Sequence, residues 1–250
     1  MQKTTIFYGF FTLFIVLTIW QISVSLFDVN PILFPSPLEV FSAFSDSPEL
    51  YSDIIISMIR LVIGSIIGIS LAVFFGILTG HISMMDKTMG NLWNFLRFIP
   101  PLALVPLFLL WLGIGEFSKI GLLAWTSFFP AWISVHAGVK SLENKYLLVA
   151  KSLSVKKTWF LKEIVFKGST NYIVNGARVG VGFAFSVLVA AEMLGAFAGV
   201  GYRISFLQSV YRIDRMIGYI IILGAIGLIF DRLFMKLSKH FTPWKNEAKN

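Results

Sequence analysis

The side chains able to do chemistry here are few, and most are charges set in apolar surroundings. Arg178 and Glu192 bracket one apolar stretch. Their separation is about 21 Å along a helix at 1.5 Å per residue, so they cannot pair with each other within it. An ionised carboxylate inside such a stretch costs about 2.5 to 3.5 kcal/mol at membrane depth unless it is paired or wet. Glu192 is therefore expected to face a helix bundle or a water-filled path. Two roles fit it: a gate or partner contact, or a helix-anchoring hydrogen bond to a neighbouring span. Arg60 and Arg178 are the cations a small anion would meet inside the apolar stretches. For Arg60, snorkelling to the outer interface is the favoured reading.

Other chemistries find no residues. No Gly-x-x-x-x-Gly-Lys-Ser/Thr loop is present to cradle a nucleotide phosphate, and no Gly-x-Ser-x-Gly elbow to present a nucleophile. His81, His136 and His240 are scattered too widely for a metal site of recognised spacing, and there are no cysteines. The chain is thus expected to be no enzyme and to hold no metal or cofactor. If ATP drives it, another polypeptide must supply the ATPase.

The elements that must position these charges span a membrane. The 250 residues are 56% hydrophobic, 14% charged and have a mean hydropathy of +0.79, far more apolar than a soluble domain, in which about a quarter of residues are charged. The net charge of +8 resides in loops between apolar stretches, without a basic helix or aromatic-interleaved sheet, so nucleic acid is not an expected partner. A span needs about 20 apolar residues. Six stretches meet or approach that length: residues 6–27, 54–80, 92–113, 120–139, 172–196 and 216–237. The first is read as a retained helix rather than a signal peptide, because it is long and lacks a small-residue cleavage site. The expected fold is an all-α polytopic membrane protein, a single domain over residues 1–250.

Charge sets the orientation. Residues 140–167 hold seven lysines and two glutamates, whereas residues 28–53 hold five acids and no Lys or Arg. Basic loops collect on the cytoplasmic side. Both termini and the lysine-rich segment are therefore expected inside, although Arg203, Arg212 and Arg215 then lie outside against the rule. The first outer loop, with Pro31, Pro35, Pro37 and near-helical Leu38, Val40, Phe41 and Phe44, reads either as a short helix on the outer face or as a linker.

Packing signals are strong. The second span has small residues at every fourth position, Gly64, Gly68, Ala72, Gly76 and Gly80, and the fifth repeats the device with Gly176, Gly180 and Ala184. Such faces let helices approach closely in lipid, where burial of apolar side chains between helices gains little. Pro106 and Pro130 fall inside the third and fourth spans and are expected to kink them near Leu102 and Thr126. Broken helices at membrane depth often flank a path. Pro100 and Pro101 could occupy a first helical turn at no cost.

Three stretches now resemble a family. Arg97-Phe-Ile-Pro-Pro-Leu-Ala-Leu-Val-Pro-Leu-Phe-Leu-Leu-Trp-Leu-Gly-Ile-Gly-Glu-Phe-Ser-Lys119 resembles the central helix region of permeases from ABC importers of the nitrate, sulfonate, taurine and bicarbonate group. Gly176-Ala-Arg-Val-Gly-Val-Gly-Phe-Ala-Phe185, Ala191-Glu-Met-Leu-Gly-Ala196 and Gly199-Val-Gly-Tyr202 resemble their fifth helix and following loop. Pro35-Ser-Pro-Leu-Glu-Val40 matches their external segment before the second helix.

The resemblance implies a cytoplasmic coupling helix-turn-helix between spans four and five. The family's motif there is a Glu-Ala-Ala run, three residues, then Gly. The aligned run here is Leu148-Val-Ala-Lys-Ser-Leu-Ser154, in which only Ala150 fits strictly. Leu148 stands for the glutamate and Ser154 for the turn glycine. Tyr146, Leu147, Ala150 and Leu153 can share one helical face, and Trp159, Phe160 and Ile164 a second. With Lys151 and Ser154 these are the candidate ATPase-coupling residues; a hairpin resting on anionic headgroups is the alternative.

The resemblance further implies a permease that works with ABC ATPase subunits, a second copy of itself and an external substrate-binding protein, in the inner or plasma membrane. It would import a small solute by alternating access, an anion such as nitrate, a sulfonate, taurine or bicarbonate, or a thiamine-precursor-like or aromatic compound. The candidate path or gate residues are Arg97, Pro100, Pro101, Pro106, Thr126, Pro130, Arg178 and Glu192. A stand-alone secondary transporter or channel would need an inverted repeat and several intramembrane carboxylates, and a scaffold would need neither kinks nor small-residue ridges.

Overall fold

The computed structural model describes residues 2–26, 30, 32–44, 47–142, 146, 150, 152–153 and 155–241, and every regular element among them is helical. The first helix, α1 (Gln2–Leu26), precedes a short α2 (Pro37–Phe44). The helix reading of that loop is the correct one, and a capping box starts it. The Ser36 N–H donates to Glu39 Oε2 at 2.7 Å while the Glu39 N–H donates to Ser36 Oγ at 3.3 Å. Val40 is buried, while Leu38 and Phe41 remain exposed.

Three long helices form the centre: α3 (Leu50–His81), α6 (Glu116–Lys140) and α7 (Lys167–Gly195). Helix α6 lies between the other two, and glycines on both neighbours make this possible. A Cβ at Gly64 would stand 2.6 Å from Leu123 Cβ, at Gly68 2.2 Å from the Ala124 carbonyl oxygen, and at Gly76 2.7 Å from Val135 Cβ. From the other side, one at Gly176 would stand 2.7 Å from Ser134 Cβ, and one at Gly180 2.6 Å from the Ser127 carbonyl oxygen. Gly80 meets Val139 in the same way, and Ala72 is wholly buried beside Ala131 and Trp132. Both small-residue ridges thus serve one purpose, close backbone approach to α6.

The expected third span is not one helix. A turn at Ser83–Met85 and a π-helical turn at Asp86–Gly90 lead into α4 (Asn91–Leu96); a 3-10 turn at Pro101–Leu104 then leads into α5 (Val105–Leu112). The two halves bend by 86°. The break falls at Pro100 and Pro101, where Pro100 is extended (φ −61°, ψ 124°), rather than below Pro106. Pro106 sits in the first turn of α5, where its missing N–H has no helical partner to lose. Helix α6 continues through Pro130 without a break.

Among the described residues, four helices are long and apolar enough to cross a membrane, five if the bent pair counts as one broken span, and α1 adds a shorter apolar stretch, Phe11–Leu26. The chain ends in α8 (Val200–Ser209) and α9 (Ile213–Phe241).

The second half of the lysine-rich segment corrects an expectation. Lys157–Trp159, a π-helical turn at Phe160–Phe166 and α7 follow one another without interruption. The supposed second amphipathic helix is therefore the start of a helix long enough to cross a membrane, Phe160–Gly195. Gly168 does not break it; a Cβ there would press on Leu142 at 2.7 Å, so the glycine serves close approach.

Candidate functional site

Two ion-pair sites divide the molecule. The first lies where α3, α6, α7 and α8 meet, with Asp53, Arg60, Lys119 and Glu192 buried and Glu116 exposed. Asp53, Ser57 and Arg60 follow one another at helical spacing on α3 and continue into the Gly64 and Gly68 ridge, so one face of the helix carries a polar stripe and then a bare one. Glu192, fully buried on α7, accepts from Arg60 Nη1 at 2.7 Å, from the Gly201 N–H at 2.9 Å and from Ser57 Oγ at 2.8 Å. The other edge of the Arg60 guanidinium binds Glu116 through both Nε and Nη2, each at 2.6 Å. Nη1 also donates to the Ala198 carbonyl at 2.7 Å.

Asp53 completes the cluster by accepting from the Gly199 N–H at 3.0 Å and from Arg203 Nε at 2.8 Å. Arg203, on the non-spanning α8, loses water by burial, which works against its charge, but the Asp53 hydrogen bond and the negative charges of Asp53 and Glu49 together outweigh this and leave its pKa above the ordinary value. Lys119 Nζ, also buried, reaches the Gly115 carbonyl at 2.8 Å. Three carboxylates and three cations thus share the cluster, and each of the six has a partner of opposite sign within it.

This cluster dictates the local sequence. The Gly199 backbone has φ +115°, and a Cβ there would lie 2.5 Å from Glu192 Oε1 and 2.7 Å from Arg60 Nη1. Only glycine fits. A Cβ at Gly201 would lie 2.4 Å from the Val189 carbonyl oxygen. The Gly-Val-Gly turn exists because the backbone must enter the ion cluster and donate to it.

The second site lies nearer the other end of α7. Arg178 grips Asp231 of α9 with two parallel bonds, Nε to Oδ1 at 2.7 Å and Nη2 to Oδ2 at 2.8 Å. The two side chains remain 44% and 42% exposed, whereas Arg60 and Glu192 of the first site are buried. A cavity of about 280 Å³ lies on one side, lined by Val181, Gly182, Phe185, Phe230 and Phe234. On the other a wider one of about 650 Å³ is lined by Pro130, Ser134, Asn175, Val179 and Phe183.

Among the residues singled out for a path or gate, the structure brings Pro130 and Arg178 to one cavity. Glu192 is bonded to Ser57 and Arg60 of the neighbouring α3. Arg60 does not snorkel: it is 4% exposed, because Glu192 and Glu116 offer it two carboxylates inside the bundle. Arg97 is exposed at the bend with its guanidinium 5.0 Å from the Phe98 ring centre, beside Pro100 and Pro101. Thr126 is buried and spends its hydroxyl on the Leu122 carbonyl of its own helix at 2.8 Å. Pro106 touches neither site's ion pairs.

In the coupling segment, Leu147, Lys151 and Ser154 lie outside the described residues. Tyr146, Leu153 and Trp159 are exposed. Ala150 and Phe160 instead pack inward with Val135, Val139 and Val165, so they hold the segment to this chain's own helices. A single outward face through Tyr146, Ala150 and Leu153 is therefore not formed.

Asp53, Ser57, Glu116, Arg203 and Asp231 were not singled out from the sequence. The spacing of Asp53, Ser57 and Arg60 in phase with Gly64 was the available signal for the first two.

The model of the binding-protein-dependent transport system inner membrane component family matches residues 64–242. The chain belongs to that family. This permease is similar to the nitrate import permease protein NrtB of Synechocystis, with 30% identity over 92% of this chain and 86% of the relative. It is also similar to the taurine transport system permease protein TauC of Escherichia coli, with 28% identity over 95% of this chain and 90% of the relative. A crystal structure of an amino acid ABC transporter with histidines shares the fold, with a TM-score of 0.62 and 20% identity over 81% of this chain and 96% of that one. The chain is an ABC transporter permease subunit, of a family that works with ATPase and substrate-binding partners.

Proposed function

We propose that this permease translocates a small solute with an anionic group, in the class of nitrate, sulfonates, taurine or bicarbonate, as one half of a homodimer driven by two separate ATPases. The names of the relatives support that class. The observation that carries the path is the Arg178–Asp231 pair, which is two-fifths exposed within long apolar helices. A charged pair in that position is costly against lipid and belongs beside water or a second copy of the chain. The path accordingly runs along the face shared by α6, α7 and α9, past Pro130, Asn175 and Arg178.

In this reading six spans cross the membrane, α1 and the bent α4–α5 pair included, with both termini and the lysine-rich segment inside. The outer ion cluster fixes the turn at Gly199 to α3 and α7, so those helices move together. ATPase closure acts on the segment around Leu153 and Trp159 and tilts this unit, opening the path to one side and then the other.

The test is co-purification of the chain expressed with its neighbouring genes, comparing wild type with Leu153→Glu and Trp159→Glu. Both residues are exposed, so the variants should fold while a carboxylate in an apolar docking contact weakens it severely. An ATPase retained by the wild type and lost from the variants supports the reading. A wild type that retains none in mild detergent contradicts it.

A further inference from the structure

The geometry points to the Arg178–Asp231 pair as a selector of small zwitterions over bare anions of the same size, an inference that rests on the permease reading above. The pair is closed: the carboxylate of Asp231 already occupies the bidentate edge of the guanidinium at 2.7 and 2.8 Å. That edge is where a sulfonate or carboxylate would be held best.

A bare anion entering from either cavity has two poor options. It can stay on the remaining N–H groups, close to the like charge of Asp231, or it can displace Asp231 and leave that carboxylate without its cation. A zwitterion has a third option. Its anionic group takes the Nε and Nη2 edge of Arg178, and its ammonium donates to Asp231, so both protein charges keep a partner of opposite sign. Each bond broken is replaced by one of the same kind.

The surroundings suit such a solute. Both protein charges are exposed to the same space, and only one or two methylenes are needed to bridge groups that start in direct contact. The smaller cavity beside the pair has the Phe185, Phe230 and Phe234 rings to cover them. The wider one presents Asn175 and Ser134, neutral polar groups that neither attract nor repel a net charge. Within this face, among the described residues, no second cation lies beside Arg178 to favour a net anion.

The test is binding to the purified wild-type chain of three probes: 2-aminoethanesulfonate, ethanesulfonate and nitrate, each titrated against intrinsic tryptophan fluorescence or thermal unfolding. The expected result is binding of 2-aminoethanesulfonate at least about tenfold tighter than of ethanesulfonate, a difference of about one decade in Kd. In Asp231→Asn the preference should shrink to about threefold or less or reverse, since the ammonium loses its carboxylate while Arg178 is freed for any anion. Asp231→Glu should restore it, which separates charge from damage to the fold.

Equal or stronger wild-type binding of ethanesulfonate or nitrate, or binding of none of the three, overturns the inference even if the variants do not survive purification. ATPase retention is scored in the same preparations. Failure of selectivity with the ATPase retained sinks this inference alone, whereas loss of the ATPase from the wild type sinks the reading beneath it.

Discussion

Two regions of this permease put the same chemistry, guanidinium on carboxylate, to opposite ends. Arg60 and Glu192 are buried, and backbone N–H groups and hydroxyls take up the capacity the ion pairs leave, while Glu116 on the other edge of Arg60 is open to solvent. Around Arg178 and Asp231 there are two bonds, two cavities and no backbone donor among the pair's bonds. The first arrangement is a lock that joins α3, α7 and the Gly199 turn. The second is a contact left open to something else. Burial, not residue type, separates the two roles: a buried pair that loses one partner strands a charge away from water, whereas in a half-exposed pair water takes up part of that loss and leaves a smaller cost.

Breaking the lock should have the largest effect. Arg60→Ala leaves Glu192 buried without its cation, at an expected loss of about 3 to 5 kcal/mol. The variant should fall to low yield and unfold at markedly lower temperature in detergent. A variant as stable as wild type would mean that the buried cluster holds nothing.

The turn that feeds the lock comes next. Gly199→Ala forces an alanine to φ +115° and its Cβ against Glu192, with an expected loss of about 1 to 3 kcal/mol. Thermal unfolding reads it, and the drop should be smaller than for Arg60→Ala. Reversal of that order would place the strain in the turn rather than in the ions.

Asp231→Asn sharpens the contrast from the other side. The pair is exposed, so the loss of stability should stay below about 1 kcal/mol, within a few degrees of the wild-type unfolding temperature. Solute selectivity should nevertheless change. A collapse comparable to that of Arg60→Ala would make the Arg178–Asp231 pair a second lock.

The division between these regions was only half legible in the sequence. Apolar length and the two glycine ridges were in plain view, because each acts through its own helix; the proline pair at Pro100 and Pro101 reads as harmless, and the break it makes is expected below Pro106 instead. The ridges locate a partner's backbone without naming it; that both meet α6 follows only from tertiary packing. Arg60 was misread because snorkelling is the cheapest fate of an arginine at a helix end when nothing is known of its neighbours. Its true partners, Glu116 and Glu192, lie 56 and 132 positions away, beyond any local pattern. Asp231 was hidden in the same way, being 53 positions from Arg178. The start of α7 was obscured by its lysines, which broke the apolar run although not the helix. Ala150, the one residue of the coupling motif that matches strictly, packs inward, a role its identity alone does not reveal.

The most direct measurement compares two positions at similar depth in the bundle. The chain has no cysteine, so Val179→Cys and Phe74→Cys each carry a single thiol. Val179 is 49% exposed beside the Arg178 cavity, and Phe74 is 58% exposed on the far side of the bundle, on α3. In intact membranes a charged, water-borne thiol reagent should label position 179 at least about tenfold faster than position 74, because a thiol facing lipid stays protonated and out of reach. Equal, slow labelling at both would contradict the account, since the Arg178–Asp231 pair would then face no water and the path would have to lie elsewhere.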